Sequence, residues 1–170
     1  MPDPLNRRRP RRRARRTLAV IGLAMVMVAA TGCFGLDPQS GAGNGFAYIT
    51  AVRGGASGGY DRVVIDFASA KLPDWKVQLD APPFTADGSG NAVAVSGHAY
   101  VSVKMTNADA HTFYSGPYRF SPPGTPNVTE VVRISDFEGQ VNYVIGLNDL
   151  RRFQVTVLKS PSRLVIDVQR

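Results

Sequence analysis

Two hexapeptides most constrain what this chain can fold into. Arg62-Val63-Val64-Ile65-Asp66-Phe67 and Arg163-Leu164-Val165-Ile166-Asp167-Val168 share one pattern: Arg, aliphatic, Val, Ile, Asp, apolar. In the first, Val63, Ile65 and Phe67 recur at every second position, as on the inward face of a strand. In each, Arg and Asp lie four residues apart, on the same strand face as the middle Val. Antiparallel pairing with Val64 opposite Val165 sets Arg62 against Asp167 and Asp66 against Arg163. Parallel pairing in register sets like charges together, which is destabilising. The two segments are therefore expected to be antiparallel neighbours, or else equivalent strands of two related sheets. Their four charged residues are expected to form structural ion pairs rather than a ligand site.

Between and around them the sequence is written in strands. Phe46 to Val52, Trp75 to Leu79, Ala92 to Met105, Val128 to Asp136, Gln140 to Leu147 and Phe153 to Leu158 are β-type runs. The Ala92–Met105 run is broken at Gly97, as a bend or bulge would break it. Phe137-Glu138-Gly139 and Lys159-Ser160-Pro161-Ser162 read as hairpin turns, and Gly54 to Gly59 as a turn or loop. No stretch carries a sustained 3.6-residue period. These features predict an all-β fold over residues 46–170, a small β-sandwich of about seven to nine short, mostly antiparallel strands.

The net charge of +7 belongs to the leader. Residues 1–33 hold eight Arg and a single acid, Asp3, whereas residues 34–170 hold equal numbers of basic and acidic residues. The excess is thus no argument for nucleic-acid binding by the folded part. Leu18 to Ala30 is a 13-residue apolar run. It is short of the ~20 residues a spanning helix needs and is the length of a signal sequence's apolar region. Ala30-Thr31-Gly32-Cys33 follows and resembles a bacterial lipobox, with Ala30 where Leu is more usual. That resemblance implies that residues 1–33 form a signal peptide ending at Cys33, which is diacylated on sulfur and becomes the mature N-terminus. Several acyl chains anchor a protein where one is marginal. The alternative is a plain signal or uncleaved anchor with a free Cys33. Arg15-Arg16-Thr17-Leu18 also resembles a twin-arginine export motif. The expected location is the outer face of the cytoplasmic membrane. Residues 34–45, with four Gly, one Pro, one Ser and one Asn, read as a flexible tether.

No arrangement of residues requires catalysis. Gly55-Ala56-Ser57-Gly58-Gly59 has the letters of a nucleophile elbow, but a strand, not a helix, follows. His98 and His111 are the two histidines; a metal site would need a third ligand such as Asp109 or Asp136, and no cofactor or metal is expected. Asp136 and Glu138 could form a carboxylate pair on one strand face, but they flank a turn and are expected to cap it. Trp75, Tyr100, Tyr114, Tyr118 and Tyr143 could stack on sugar rings; Tyr114 and Tyr118, in the irregular Asn107–Pro126 segment, are the best candidates for an exposed pair, with His111 beside them.

The stretches Tyr60–Phe67, Gly88–Gly90, Gly97–Val101, Ala110-His111-Thr112, Asp136–Gly139, Ile145–Leu147 and Pro161–Val168 resemble the AMIN-like domain of secreted lipoproteins from high-GC bacteria, over about residues 60–170. The resemblance implies a small β-sandwich and a non-catalytic targeting module of the cell envelope, often attributed to peptidoglycan binding. AMIN domains usually accompany an amidase or secretin domain, which this sequence does not contain. The expected function is a membrane-anchored, non-enzymatic module that recognises peptidoglycan or an envelope protein. Two other readings are a small hydrolase or metal-dependent enzyme using His98 or His111, and a structural partner in an envelope assembly. The lipobox reading predicts that Cys33→Ser moves the protein from the detergent phase to the aqueous phase in Triton X-114 partitioning. Unchanged partitioning would leave Cys33 without an anchoring role.

Overall fold

The computed structural model describes residues 30–31 and 33–170, so the Arg-rich segment and the apolar run up to Ala29 lie outside the described residues. The described chain contains no helix. Its strands are β1 (Ala30–Thr31), β2 (Gln39–Gly41), β3 (Ala47–Ser57), β4 (Tyr60–Phe67), β5 (Asp74–Asp80), β6 (Phe84–Thr85), β7 (Ala92–Val93), β8 (Ala99–Thr106), β9 (Ala108–Asp109), β10 (Arg119–Phe120), β11 (Val128–Phe137), β12 (Gln140–Leu147), β13 (Phe153–Lys159) and β14 (Ser162–Gln169). Eight of these have seven residues or more, the number expected for the sandwich; the rest are short pairings made by connecting segments.

The long strands form two sheets, ordered β1-β13-β14-β4-β3-β9 and β10-β11-β12-β8-β5-β2, and β6 pairs with β7 in a separate small ribbon. All pairings are antiparallel except β3 with β9. One core fills the space between the sheets. Val63, Ile65, Phe67, Leu164, Ile166 and Val168 enter it from the first sheet, and Val77, Val101, Val103, Val141, Tyr143 and Ile145 from the second. Alternation along each strand puts these side chains inward, and their burial supplies most of the driving force.

β4 and β14 lie side by side at the centre of the first sheet. Val64 stands opposite Val165, Arg62 opposite Asp167, and Asp66 opposite Arg163. Arg62 donates two hydrogen bonds to Asp167, at 2.6 and 2.8 Å. Asp66 and Arg163 face each other but do not pair. Asp66 instead accepts two hydrogen bonds from Arg53 on β3, at 2.9 and 3.3 Å, and Arg163 donates to the Pro161 carbonyl. The reason is that β4 has a neighbour on each side. Arg53, diagonal to Asp66 across the β3–β4 pairing, offers the carboxylate a fork-like contact.

Three segments differ from the sequence expectation. Gly54 to Ser57 continue β3 rather than forming a loop, and the turn is confined to Gly58-Gly59. Gly54 is needed there because Pro122 sits where its Cβ would be, 2.9 Å away. Residues 34–45, expected as a tether, lie along the sandwich edge. Gly35 exchanges backbone hydrogen bonds with Phe153, Phe34 stacks on Tyr60 at 4.8 Å, and β2 pairs with β5. Their glycines permit this close approach instead of only loosening the chain. The Ala92–Met105 run, expected to continue beyond its break, yields only the two-residue β7 before β8 begins at Ala99.

The two sheets are also tied through a polar contact. Asp61 occupies an inward position of β4 and is fully buried. Its carboxylate accepts hydrogen bonds from the Asn127 and Val128 N–H groups at the start of β11, at 2.6 and 2.9 Å. Its other oxygen accepts from Arg170 at 3.0 Å. A buried carboxylate is tolerated only when so satisfied. Removing it strands Arg170 and two backbone donors. Asp61→Ala is expected to lower unfolding free energy by about 3 kcal/mol, read as a lower urea midpoint. Asp66→Ala, in the more exposed pair, is expected to cost less than about 1 kcal/mol.

Candidate functional site

At the end of the sandwich that carries the β11–β12 hairpin, β3 and β9 run parallel, with Ala47 beside Ala108 and Tyr48 beside Asp109. The hairpin closes through Glu138 and Gly139, both at positive φ (50° and 73°). A tight turn of this kind matches the strand twist. The Gly139 carbonyl accepts the Ala108 N–H at 3.0 Å, so the hairpin and the chain after β8 are joined.

Asp109 organises the next turn. Its Oδ1 accepts the His111 and Thr112 N–H groups at 2.9 and 2.8 Å, and its Oδ2 accepts the Thr112 hydroxyl at 2.7 Å. Burial alone would push this carboxyl's pKa up. The hydrogen bonds from Thr112 and His111, with the neighbouring imidazole, outweigh burial and hold it below the usual carboxylate value. Asp136 on β11 accepts the Ala110 N–H at 3.1 Å and lies 3.3 Å from the Arg133 guanidinium. Arg133 also donates to the Ala110 carbonyl and lies over the Tyr114 ring, 5.7 Å from its centroid.

His111 is bracketed by these two acids. Nε2 lies 3.2 Å from Asp109 and Nδ1 3.1 Å from Asp136. A neutral imidazole can donate to only one of them, so both contacts are satisfied together only by the doubly protonated ring. The two nitrogens point away from each other, so the acids do not converge on one point with either lone pair. Among the described residues no group of three or more His, Cys, Asp or Glu side chains is arranged to hold a metal ion. His98 lies elsewhere: its N–H donates to the Leu147 carbonyl, and Nδ1 is 3.2 Å from the Asn148 carbonyl. The histidines thus sit near opposite ends of β12, roughly 20 Å apart along the strand.

Tyr114 and Tyr118 do not form an exposed pair. Tyr114 belongs to the core, and its hydroxyl donates to the Pro117 carbonyl at 2.8 Å. Burial pushes that hydroxyl's pKa up, with Arg133 opposing. Tyr118 is exposed, but its ring stacks on no other among the described residues. The aromatic surface is made by three residues the sequence reading did not single out. Phe46 contacts Tyr48 at 5.3 Å between ring centroids, and Tyr48 contacts Phe113 edge-on at 5.1 Å. They are 45%, 36% and 59% exposed. Phe46 also lies beside Gly139, 3.5 Å from where a Cβ would be. Sequence separation hid this cluster: Phe113 is brought to Tyr48 only by the parallel β3–β9 pairing. Of the two turn carboxylates, Asp136 braces the cluster from within, while Glu138 is exposed in the turn itself.

Cys33 is exposed and lies beside β13, at the opposite edge of the first sheet from β3 and β9. Counting strands and residues sets the aromatic cluster roughly 20 Å across the sheet and roughly 20 Å along it from Cys33.

A family model of the AMIN-like domain matches residues 47–170. The chain belongs to the AMIN-like domain family. Membership suggests an envelope or periplasmic location and is compatible with a non-catalytic binding module. No curated protein and no solved structure matches the chain.

The Asp109 contacts carry a pH dependence. A carboxyl with a lowered folded pKa contributes stability above its unfolded value, near 3.9, and loses it as pH falls through the folded value. Wild type should therefore melt above Asp109→Asn at neutral pH, and the gap should close as pH falls below about 4. Melting curves across that range check the sign.

Proposed function

We propose that this AMIN-like domain is a lipid-anchored, non-catalytic envelope module that binds a glycan on the Phe46–Tyr48–Phe113 surface. The observation that carries the reading is the continuous contact of three exposed aromatic rings beside the Asp109–His111–Asp136 set. Sugar rings present C–H faces to aromatic planes and hydroxyls to acids and imidazoles. A site with apolar faces and a few directed polar groups at its edge suits them. The surface is rigid because Arg133, Asp136 and Asp109 hold its backbone, so little ordering is needed on binding.

Its position supports the same reading. If Cys33 carries the acyl chains, the aromatic surface lies diagonally across the sandwich from the anchor. It would then face the wall rather than the lipid. Peptidoglycan is the glycan that envelope location favours.

The test is sedimentation with purified cell wall. Wild-type protein is expected in the pellet, with retention reduced by about three- to tenfold in Tyr48→Ala and Phe113→Ala, the worth of one aromatic contact. Tyr118→Ala should be retained like wild type. Equal retention of all four proteins would rule out this surface as the glycan site.

A further inference from the structure

The outer face of the second sheet holds an open groove of about 410 Å³, on a different surface from the aromatic cluster. Lys76 on β5 and Lys104 on β8 stand directly opposite each other there. Both are exposed, and neither is within ion-pair distance of an acid among the described residues. Opposite positions on antiparallel strands bring Cβ atoms to roughly 5 Å, and like charges there are destabilising. Lys71, Lys159, Arg152 and Arg163 are also in no ion pair among the described residues, so what sets Lys76 and Lys104 apart is that they face each other across the pairing, whereas most arginines are paired. Arg53, Arg62, Arg119, Arg133, Arg151 and Arg170 each pair with an acid. Asp74 also lines the groove, but its oxygens are engaged by the Gly43 N–H at 2.7 Å and the Asn107 amide at 3.2 Å.

The row continues in polar residues. Ser40 faces Lys76, and Asn142 faces Lys104. Gln140 and Thr106 close one end of the groove. Two ammonium groups, with neutral hydrogen-bonding neighbours on either side and the Asp74 carboxylate at the Thr106 end of the groove, make a site for an anion held mainly by charge. The guanidinium fork matches carboxylate and phosphate alike, whereas an ammonium acts as a point charge and is a common phosphate binder in that role. We propose that Lys76 and Lys104 bind a phosphate group, carried either by a soluble phosphoryl compound or polymer, or by a lipid headgroup. The anion relieves the repulsion that the bare sheet carries.

Thermal unfolding of the full-length protein tests this, comparing sodium phosphate with sodium chloride at matched ionic strength. Phosphate is expected to raise the wild-type Tm by about 3 °C or more over chloride, and to move the amide resonances of Lys76, Lys104 and Asn142. Lys76→Gln/Lys104→Gln should lose that increment. Lys104→Glu, which turns the repulsive pair into an attractive one, should melt above wild type in chloride and gain nothing from phosphate. The two variants guard against a substitution that simply misfolds. Equal phosphate stabilisation of wild type and both variants overturns the proposal, as does a wild-type increment from acetate equal to that from phosphate. Flotation with phosphatidylglycerol vesicles that requires both lysines assigns the group to a lipid headgroup. A phosphate increment without flotation assigns it to a soluble phosphoryl ligand.

Discussion

The antiparallel register of β4 against β14 is the constraint on which the rest of the sandwich depends. Side chains alternate along a strand, so a slip of one residue would turn Val63, Ile65 and Phe67 outward and bring Arg62 and Asp66 into the core. With Val64 opposite Val165, both strands present their aliphatic residues to the same interior and Arg62 meets Asp167 on the outer face. β3 and β13 then extend the sheet on either side. Asp61, one residue before Arg62, is carried inward by the same alternation. There it reaches the start of β11 and links the sheets through a buried carboxylate. One register thus sets the core, the surface ion pair and the tie between layers.

The aromatic surface depends on that frame indirectly. Between β8 and β11 the chain has few strand partners of its own, and its conformation is held by polar side chains. Asp109 fixes the turn through Thr112 and the His111 N–H; Asp136 holds the Ala110 N–H, and Arg133 holds the Ala110 carbonyl. Loops carrying binding residues are commonly braced by a rigid scaffold in this way. Asp109 and Asp136, which sequence inspection weighed as metal ligands, are committed to this bracing, with His111 held between them.

How much was legible follows from the range of the interactions involved. The strands, both hairpin turns and the β4–β14 pairing were readable because alternation and turn chemistry are local, and because the two matching hexapeptides carried their own charge register. The exchange of Arg163 for Arg53 as the partner of Asp66 was not readable, because β4 has two neighbours and only the assembled sheet says which cation lies at the better angle. Tyr114 looked available for stacking in an irregular segment, yet packing under Arg133 buried it. Phe46, Tyr48 and Phe113 gave no signal, because nothing in their spacing announces a parallel contact between residues about 60 positions apart.

The amino-acid sequence alone determined an all-β fold and its resemblance to the AMIN-like family, and offered the central register as one of two arrangements of the matching hexapeptides. These rest on periodicity, composition and motif, all of which are written along the chain. Tertiary structure alone decided which aromatic rings meet at the surface, which acids brace His111, and that Lys76 and Lys104 confront each other without a counter-charge. Those are proximities between distant residues, and only the folding of both sheets around one core brings them about.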